Sequence, residues 1–140
     1  MNAEYFLDTN ILLYCFDKTD LRKKHIAETL VEQAAMSGTG VISSQVCQEF
    51  CNVMLYKNSD EIPFHKLLAF LETVVFGLIR VYPSPGLFRE ALRIHQESQY
   101  RYYDSLIVAG ALESRTPILY TEDLQHDRRI GPLQIINPFL

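Results

Sequence analysis

At 140 residues with 48% hydrophobic side chains, the chain is expected to form one domain over residues 1–140, large enough to bury about 68–70% of the surface its unfolded form exposes. A formal net charge of −4 excludes a basic domain drawn to nucleic acid by bulk charge, but not an enzyme whose bound cations and few arginines reverse the sign locally. No run approaches the roughly 18 apolar residues of a membrane span, and no basic-then-apolar leader opens the chain, so a cytoplasmic protein with no membrane partner is expected. Cys15, Cys47 and Cys51 give no disulfide framework. Cys47 and Cys51 share a helix face, but no further Cys or His has zinc-like spacing, and all three read as small apolar side chains.

In chain order, Tyr5 to Leu7 reads as a strand. Leu21 to Met36 reads as a helix with Ile26, Leu30 and Val31 on its apolar side, broken by Gly38 and Gly40. Val41-Ile42-Ser43 is a second strand. Ser44 then caps a helix whose Val46, Phe50, Val53 and Met54 share a face. Pro63 suits the first turn of a helix carrying Leu67, Leu68, Leu71, Val74 and Val75. Leu78 to Tyr82 is a third strand and Pro83-Ser84-Pro85-Gly86 a turn. Leu87 to Ser98 is helical. Tyr103 to Glu113 is a helix so apolar after its first turn that burial is expected. Pro117 to Thr121 and Gln134 to Asn137 are the last strands. This alternation argues an α/β fold with a mostly parallel sheet, in which sites form beyond the carboxyl ends of the strands.

Four acids stand out against that frame. Asp8 directly follows the first strand, and Asp123 follows Ile118-Leu119-Tyr120 within three residues. Asp104 opens the apolar run Ser105-Leu106-Ile107-Val108-Ala109. Glu49 borders the apolar stripe of its helix, with Val46 before it and Val53 after it. Each has an ordinary reading: Asp8 as a helix cap or turn acid, Asp104 as a first-turn acid, Asp123 as a turn acid, Glu49 as a side chain reaching water. If all four converge, their repulsion is costly: two like charges about 4 Å apart oppose each other by roughly 4 kcal/mol at an effective dielectric near 20. Such a cluster must protonate or hold cations. All-oxygen ligands match Mg²⁺ or Mn²⁺, which serve phosphodiester hydrolysis.

The segments around the acids resemble those of a known family. Phe6-Leu7-Asp8-Thr9-Asn10-Ile11-Leu12-Leu13-Tyr14 resembles the opening of PIN-domain ribonucleases. Val41 to Phe50, Tyr102 to Ala109 and Leu119 to His126 are similar to their second, third and fourth motifs, and Asn137-Pro138-Phe139 to the ending of many bacterial members. The resemblance covers nearly the whole chain in order and is nearest to the VapC-type toxins of toxin–antitoxin pairs. It implies a single PIN-like three-layer domain and a Mg²⁺- or Mn²⁺-dependent endoribonuclease acting on RNA. It further implies a cognate antitoxin and a homodimer. It carries over Asp8, Glu49, Asp104 and Asp123 as the metal-binding and catalytic set, with Thr9, Asn10 and Thr121 as supporting polar residues. Thr121 stands where many relatives have serine. Asp127-Arg128-Arg129 replaces a small residue common after the fourth motif.

Arg128 and Arg129 could bind substrate phosphates or be a solvated loop pair. His126 could act as an acid or RNA contact, or simply be exposed. His25, His65 and His95 read as surface or boundary residues, and Arg22-Lys23-Lys24 as a solvated helix start. Tyr100, Tyr102 and Tyr103 could stack on bases or pack into the core. Two other classes of function compete with the nuclease. One is a non-catalytic RNA- or protein-binding domain with an idle acidic pocket. The other is an aspartyl-phosphate enzyme with Asp8 as nucleophile. Asn10, where phosphatases of the haloacid dehalogenase type carry a second Asp, argues against the latter.

Overall fold

The computed structural model describes residues 3–57 and 62–140. Six strands form one sheet in the order β3-β2-β1-β4-β6-β5. They are β1 (Tyr5–Leu7), β2 (Gly40–Ser43), β3 (Ile79–Val81), β4 (Ile118–Tyr120), β5 (Arg129–Ile130) and β6 (Leu133–Ile136). All pairings are parallel except β5 with β6. The helices are α1 (Thr9–Tyr14), α2 (Leu21–Ser37), α3 (Ser44–Tyr56), α4 (Phe64–Phe70), α5 (Phe76–Leu78), α6 (Pro85–Ser98) and α7 (Tyr102–Glu113). The expected α/β class and mostly parallel sheet are observed.

Strand β1 explains why helices cover both faces. Its neighbouring side chains point oppositely, as the period of two demands. Tyr5 donates through its hydroxyl to the Leu30 carbonyl of α2 at 2.8 Å, while the Phe6 ring faces Gly110 of α7. The sheet is therefore sandwiched between α2 on one side and α7 on the other. Tyr5, Phe6 and Leu7 are all buried, so β1 reads as a continuous apolar run rather than an alternating one, as a strand covered on both faces must. Helix α7 is buried from Ser105 through Ala111, as expected from its apolar sequence.

Several boundaries differ from the sequence reading, each for a physical reason. The cap of α3 is Ser43, whose Oγ accepts from the Val46 amide at 3.4 Å, and Ser44 is already helical. Strand β2 thus runs into α3 without a loop. Gly38 ends α2 in the left-handed conformation at φ 69°, where glycine meets no Cβ penalty. Gly40 does not break the helix; it begins β2 and is small for packing. A Cβ there would lie 2.4 Å from the Tyr5 ring and 2.6 Å from the Ala34 Cβ. Pro85-Gly86 is the start of α6, not a turn, because Ser84 caps it by accepting from the Leu87 amide at 3.1 Å. Pro63 precedes α4 rather than opening it. Between α4 and α5 the chain widens into a π-helical turn, Leu71–Val75. Leu67, Leu71 and Val75 are buried and Leu68 is exposed. On α2 the fully enclosed line is Ala27, Val31 and Ala34, with Ile26 and Leu30 at its margin.

Two elements were not anticipated. Helix α1 is short, and β5 has only two residues, too few to show a period. The aromatic cluster Phe16, Phe50 and Phe70 joins α3 and α4, with Phe16 and Phe70 edge-on at 5.0 Å.

The tight approach at Gly40 is testable. Gly40→Ala forces the Tyr5 ring or α2 to move, so a loss of about 1–3 kcal/mol is expected in urea unfolding. An unchanged midpoint would show that β2 and α2 are not packed this closely.

Candidate functional site

The register of the central strands builds the site. Leu7 of β1 lies beside Tyr120 of β4 in a parallel pair, so the residues that follow, Asp8 and Thr121, leave the sheet together. The strand order reverses direction about β1, with β2 on one side and β4 on the other, the point where open parallel sheets form crevices. The Asp8 amide donates to the Tyr120 carbonyl at 3.1 Å. Asp8 is 5% exposed. Oδ1 accepts from the Thr9 amide and Oδ2 from the Thr121 hydroxyl, both at 2.7 Å. Asp8 thereby caps α1, so its ordinary reading as a helix cap and its place in the cluster are both true.

The other acids gather around it. Glu49 comes from the second turn of α3, and its Oε1 accepts from the Thr9 hydroxyl at 2.8 Å. The Asn10 side-chain amide donates to Asp123 Oδ2 at 3.0 Å and to Thr121 Oγ1 at 3.3 Å. The Asp123 amide also donates to Thr121 Oγ1, at 3.1 Å. The Thr121 hydroxyl thus gives its one proton to Asp8 and fills its acceptor sites with Asn10 and Asp123. Asp104 lies in the first turn of α7, close enough for Asp123 to repel its charge. Asp8, Thr9, Asn10, Glu49, Thr121 and Asp123 thus form one hydrogen-bonded network, with Asp104 near enough to Asp123 to feel its charge.

Burial is the main cause that pushes the Asp8 carboxyl up to about 7. The hydrogen bonds from Thr121 and the Thr9 amide oppose it, and the charges of Asp123 and Glu49 add to it. Partial burial likewise raises Asp104, helped by Asp123 and opposed by Arg101. None of the four acids is ion-paired with a lysine or arginine among the described residues. Their oxygens suit a hard cation. Among the described residues, however, no three acidic, imidazole or thiol groups close on a single point. A cage made wholly of protein does not fit this arrangement. An ion that takes one or two carboxylates and keeps several waters, as Mg²⁺ does, fits it.

Other sequence candidates fall elsewhere. Arg128 lies over the Tyr100 ring at 4.8 Å, and Arg129 in β5 reaches toward Gln134 at 3.5 Å; neither pairs with the four acids. His126 accepts through Nδ1 from the Asn137 amide at 3.0 Å, tying the segment after β4 to the end of β6. His25, His65 and His95 are exposed. Cys15 is buried, while Cys47 and Cys51 are half-buried. Burial, reinforced by Cys51, pushes the Cys47 thiol up to about 11, which leaves it an unreactive thiol.

The basic run at the start of α2 is not simply solvated. Lys23 pairs with Glu122, whose other oxygen accepts from the Tyr14 hydroxyl at 2.5 Å, and Arg22 donates to the Phe139 carbonyl. The Glu122 amide donates to Asn10 Oδ1 at 3.3 Å. Glu122 therefore anchors the segment bearing Thr121 and Asp123 to α1 and α2. The sequence signal for this role was only its place between Thr121 and Asp123. A neighbouring cavity of about 370 Å³, lined by Asn10, Tyr14, Asp17, Lys18 and Glu122 among others, adjoins the acids through Asn10.

No helix of the described residues is long and apolar enough to cross a membrane. No curated protein matches the chain. Solved structures with a similar fold include a toxin–antitoxin complex from Klebsiella pneumoniae, 20% identical, covering 96% of this chain and 98% of that one with a TM-score of 0.66. FitAcB from Neisseria gonorrhoeae is 17% identical over 96% and 98%, with a TM-score of 0.68. VapBC2 from Rickettsia felis, bound to a DNA fragment from its promoter, is 20% identical over 94% and 96%, with a TM-score of 0.63. The PIN domain model matches residues 5–130, from the first strand through all four acids, and the chain belongs to that family.

Proposed function

We propose that this chain is a Mg²⁺- or Mn²⁺-dependent endoribonuclease and the toxin of a toxin–antitoxin pair. The observation that carries the reading is Asp8: a buried carboxylate, repelled by Asp123 and Glu49 and, among the described residues, paired with no cation. A fold that tolerates this cost gains from it when a divalent ion binds. Membership of the PIN family and the fold shared with a toxin–antitoxin complex support the same assignment.

In this reading Asp8 and Asp104 are the most direct metal ligands. Glu49 and Asp123 complete the shell or hold its waters. When bound, the ion supplies Lewis acidity for activating water and neutralising phosphate charge. The chain's own groups do the positioning. Thr121 and the Thr9 amide fix both oxygens of Asp8, Thr9 orients Glu49, and Asn10 orients Asp123. RNA is the substrate, and Arg129 together with Arg128, which lies over the Tyr100 ring, serves the flanking phosphates. Exposed Phe64, Leu68 and Phe76 on the segment from α4 to α5 offer apolar surface for a second copy or the antitoxin.

A second reading is a non-catalytic RNA- or protein-binding PIN-like domain. The unpaired acids weigh against it, since a binder has no need of their mutual repulsion. Calorimetric titration with Mn²⁺ separates the two: saturable binding is expected, and none would favour the binder.

Asp8→Asn is expected to abolish RNA cleavage in Mn²⁺ while circular dichroism and the unfolding transition show an intact fold. Cleavage at the wild-type rate by a preparation free of contaminating ribonuclease would refute the assignment.

A pH dependence follows from Asp8. Its folded-state pKa of about 7 exceeds the unfolded value of about 3.9, so the folded chain binds the extra proton between them. The contribution of Asp8 to stability without metal is therefore fullest below about 4 and is lost as pH rises through about 7. In EDTA the melting temperature should drop across this window, and Asp8→Asn should flatten the drop and raise stability at pH 8. Mn²⁺ should restore stability most at the high end, where the carboxylate is already ionised. A melting temperature that rises from pH 5 to 7 in EDTA would contradict this account of Asp8.

A further inference from the structure

The junction of α6 and α7 presents two aromatic side chains to solvent immediately before Asp104. Tyr103 is 66% exposed and Tyr102 37%. Their rings meet edge to face with centroids 5.5 Å apart. The third tyrosine of the run behaves differently: Tyr100 packs against the core and carries Arg128 on its ring. The sequence could not divide the three; the structure does.

The backbone that displays the pair is held at several points. The Tyr100 amide donates to Ser98 Oγ at 3.1 Å. The Tyr100 carbonyl meets His95 Nδ1 at 2.5 Å and accepts from the Ser105 hydroxyl at 3.4 Å. The Gln45 side chain of α3 donates to the Tyr103 carbonyl at 3.0 Å. Exposed aromatic rings on a pinned backbone lose little freedom on binding a flat partner, because a tyrosine has only two side-chain torsions. Arg101 stands beside them, exposed, and its charge reaches Asp104. It supplies positive charge next to Asp104.

We propose that Tyr102 and Tyr103, with Arg101, form a stacking platform for an unpaired nucleobase next to the phosphate held at the acids. The proposal rests on the ribonuclease reading and assigns the side chains that would hold a base beside the acids. A nucleobase offers a π-face to the tyrosines and a phosphate to Arg101, the two chemistries that these side chains combine. In a duplex the faces are already stacked on neighbouring bases, so the platform discriminates against it.

The test is fluorescence anisotropy in Mn²⁺ with a labelled adenosine homo-oligonucleotide and the same strand annealed to its complement. Asp8→Asn protein keeps the RNA intact. Binding of the single strand is expected to weaken about tenfold in Tyr103→Leu, to stay within about twofold in Tyr103→Trp, and to exceed binding of the duplex about tenfold. Tyr103 is exposed, so the leucine variant folds, which its melting temperature verifies. The platform is overturned if the leucine variant binds as tightly as its parent, if duplex and single strand bind alike, or if neither binds. It is equally overturned if sedimentation shows that Tyr103→Leu breaks a dimer without altering RNA affinity, for the pair is then a protein interface. Cleavage by the wild-type chain, followed separately, reports on the ribonuclease reading, so the two can fail independently.

Discussion

Asp8 holds a position that most folds avoid: a carboxylate at the end of a central strand, almost wholly removed from water and, among the described residues, without a cationic partner. Burying an ionised group costs several kcal/mol unless hydrogen bonds or opposite charge replace its hydration. Here an amide and a hydroxyl replace part of it, and neighbouring acids work the other way. The unmet remainder, with burial as its largest part, raises the Asp8 carboxyl to about 7. Strand register, helix capping and the placement of Thr121 all serve to keep this one side chain where it is.

Around Asp8 the constraint spreads outward in layers. Thr9, Asn10 and Thr121 touch the acids directly, each hydrogen-bonding at least one of them. Behind them Glu122 joins Tyr14 and Lys23, and Lys23 also lies over the rings of Tyr14 and Phe139. The segment after β4 is thereby fastened to α1, α2 and the end of the chain. Loops are ordinarily the most mobile parts of a fold, so this fastening is what allows Asp123 to keep its distance from Asn10.

Charge distribution sets how the chain meets a charged partner. The net charge of −4 repels polyanions at long range, and the four acids add to that repulsion at short range. Positive side chains matter only where they stand. Arg101 is exposed and its charge reaches Asp104, Arg128 lies over the Tyr100 ring, and Lys23 is paired with Glu122. Composition counts all of these equally, whereas geometry does not.

Local patterning was enough to identify the α/β class, the order of the principal strands and helices, and the acids themselves, because periodicity, capping residues and strand-end carboxylates are properties of neighbouring residues. It was also enough to suggest the PIN family, since four short segments recur in order. What it could not supply were relations between residues distant in the chain. The pairing of Leu7 with Tyr120 puts Thr121 on Asp8 across 113 positions, and no local pattern encodes that distance. Gly40 looked like a helix breaker until Tyr5 and Ala34 were seen against it. Lys23 looked solvated until Glu122 arrived from the far end of the sheet. Tyr100 and Tyr103 are three residues apart and equally aromatic, yet one supports an arginine and the other faces water. Burial and charge pairing belong to the assembled surface, and only the folded chain determines which side chains share it.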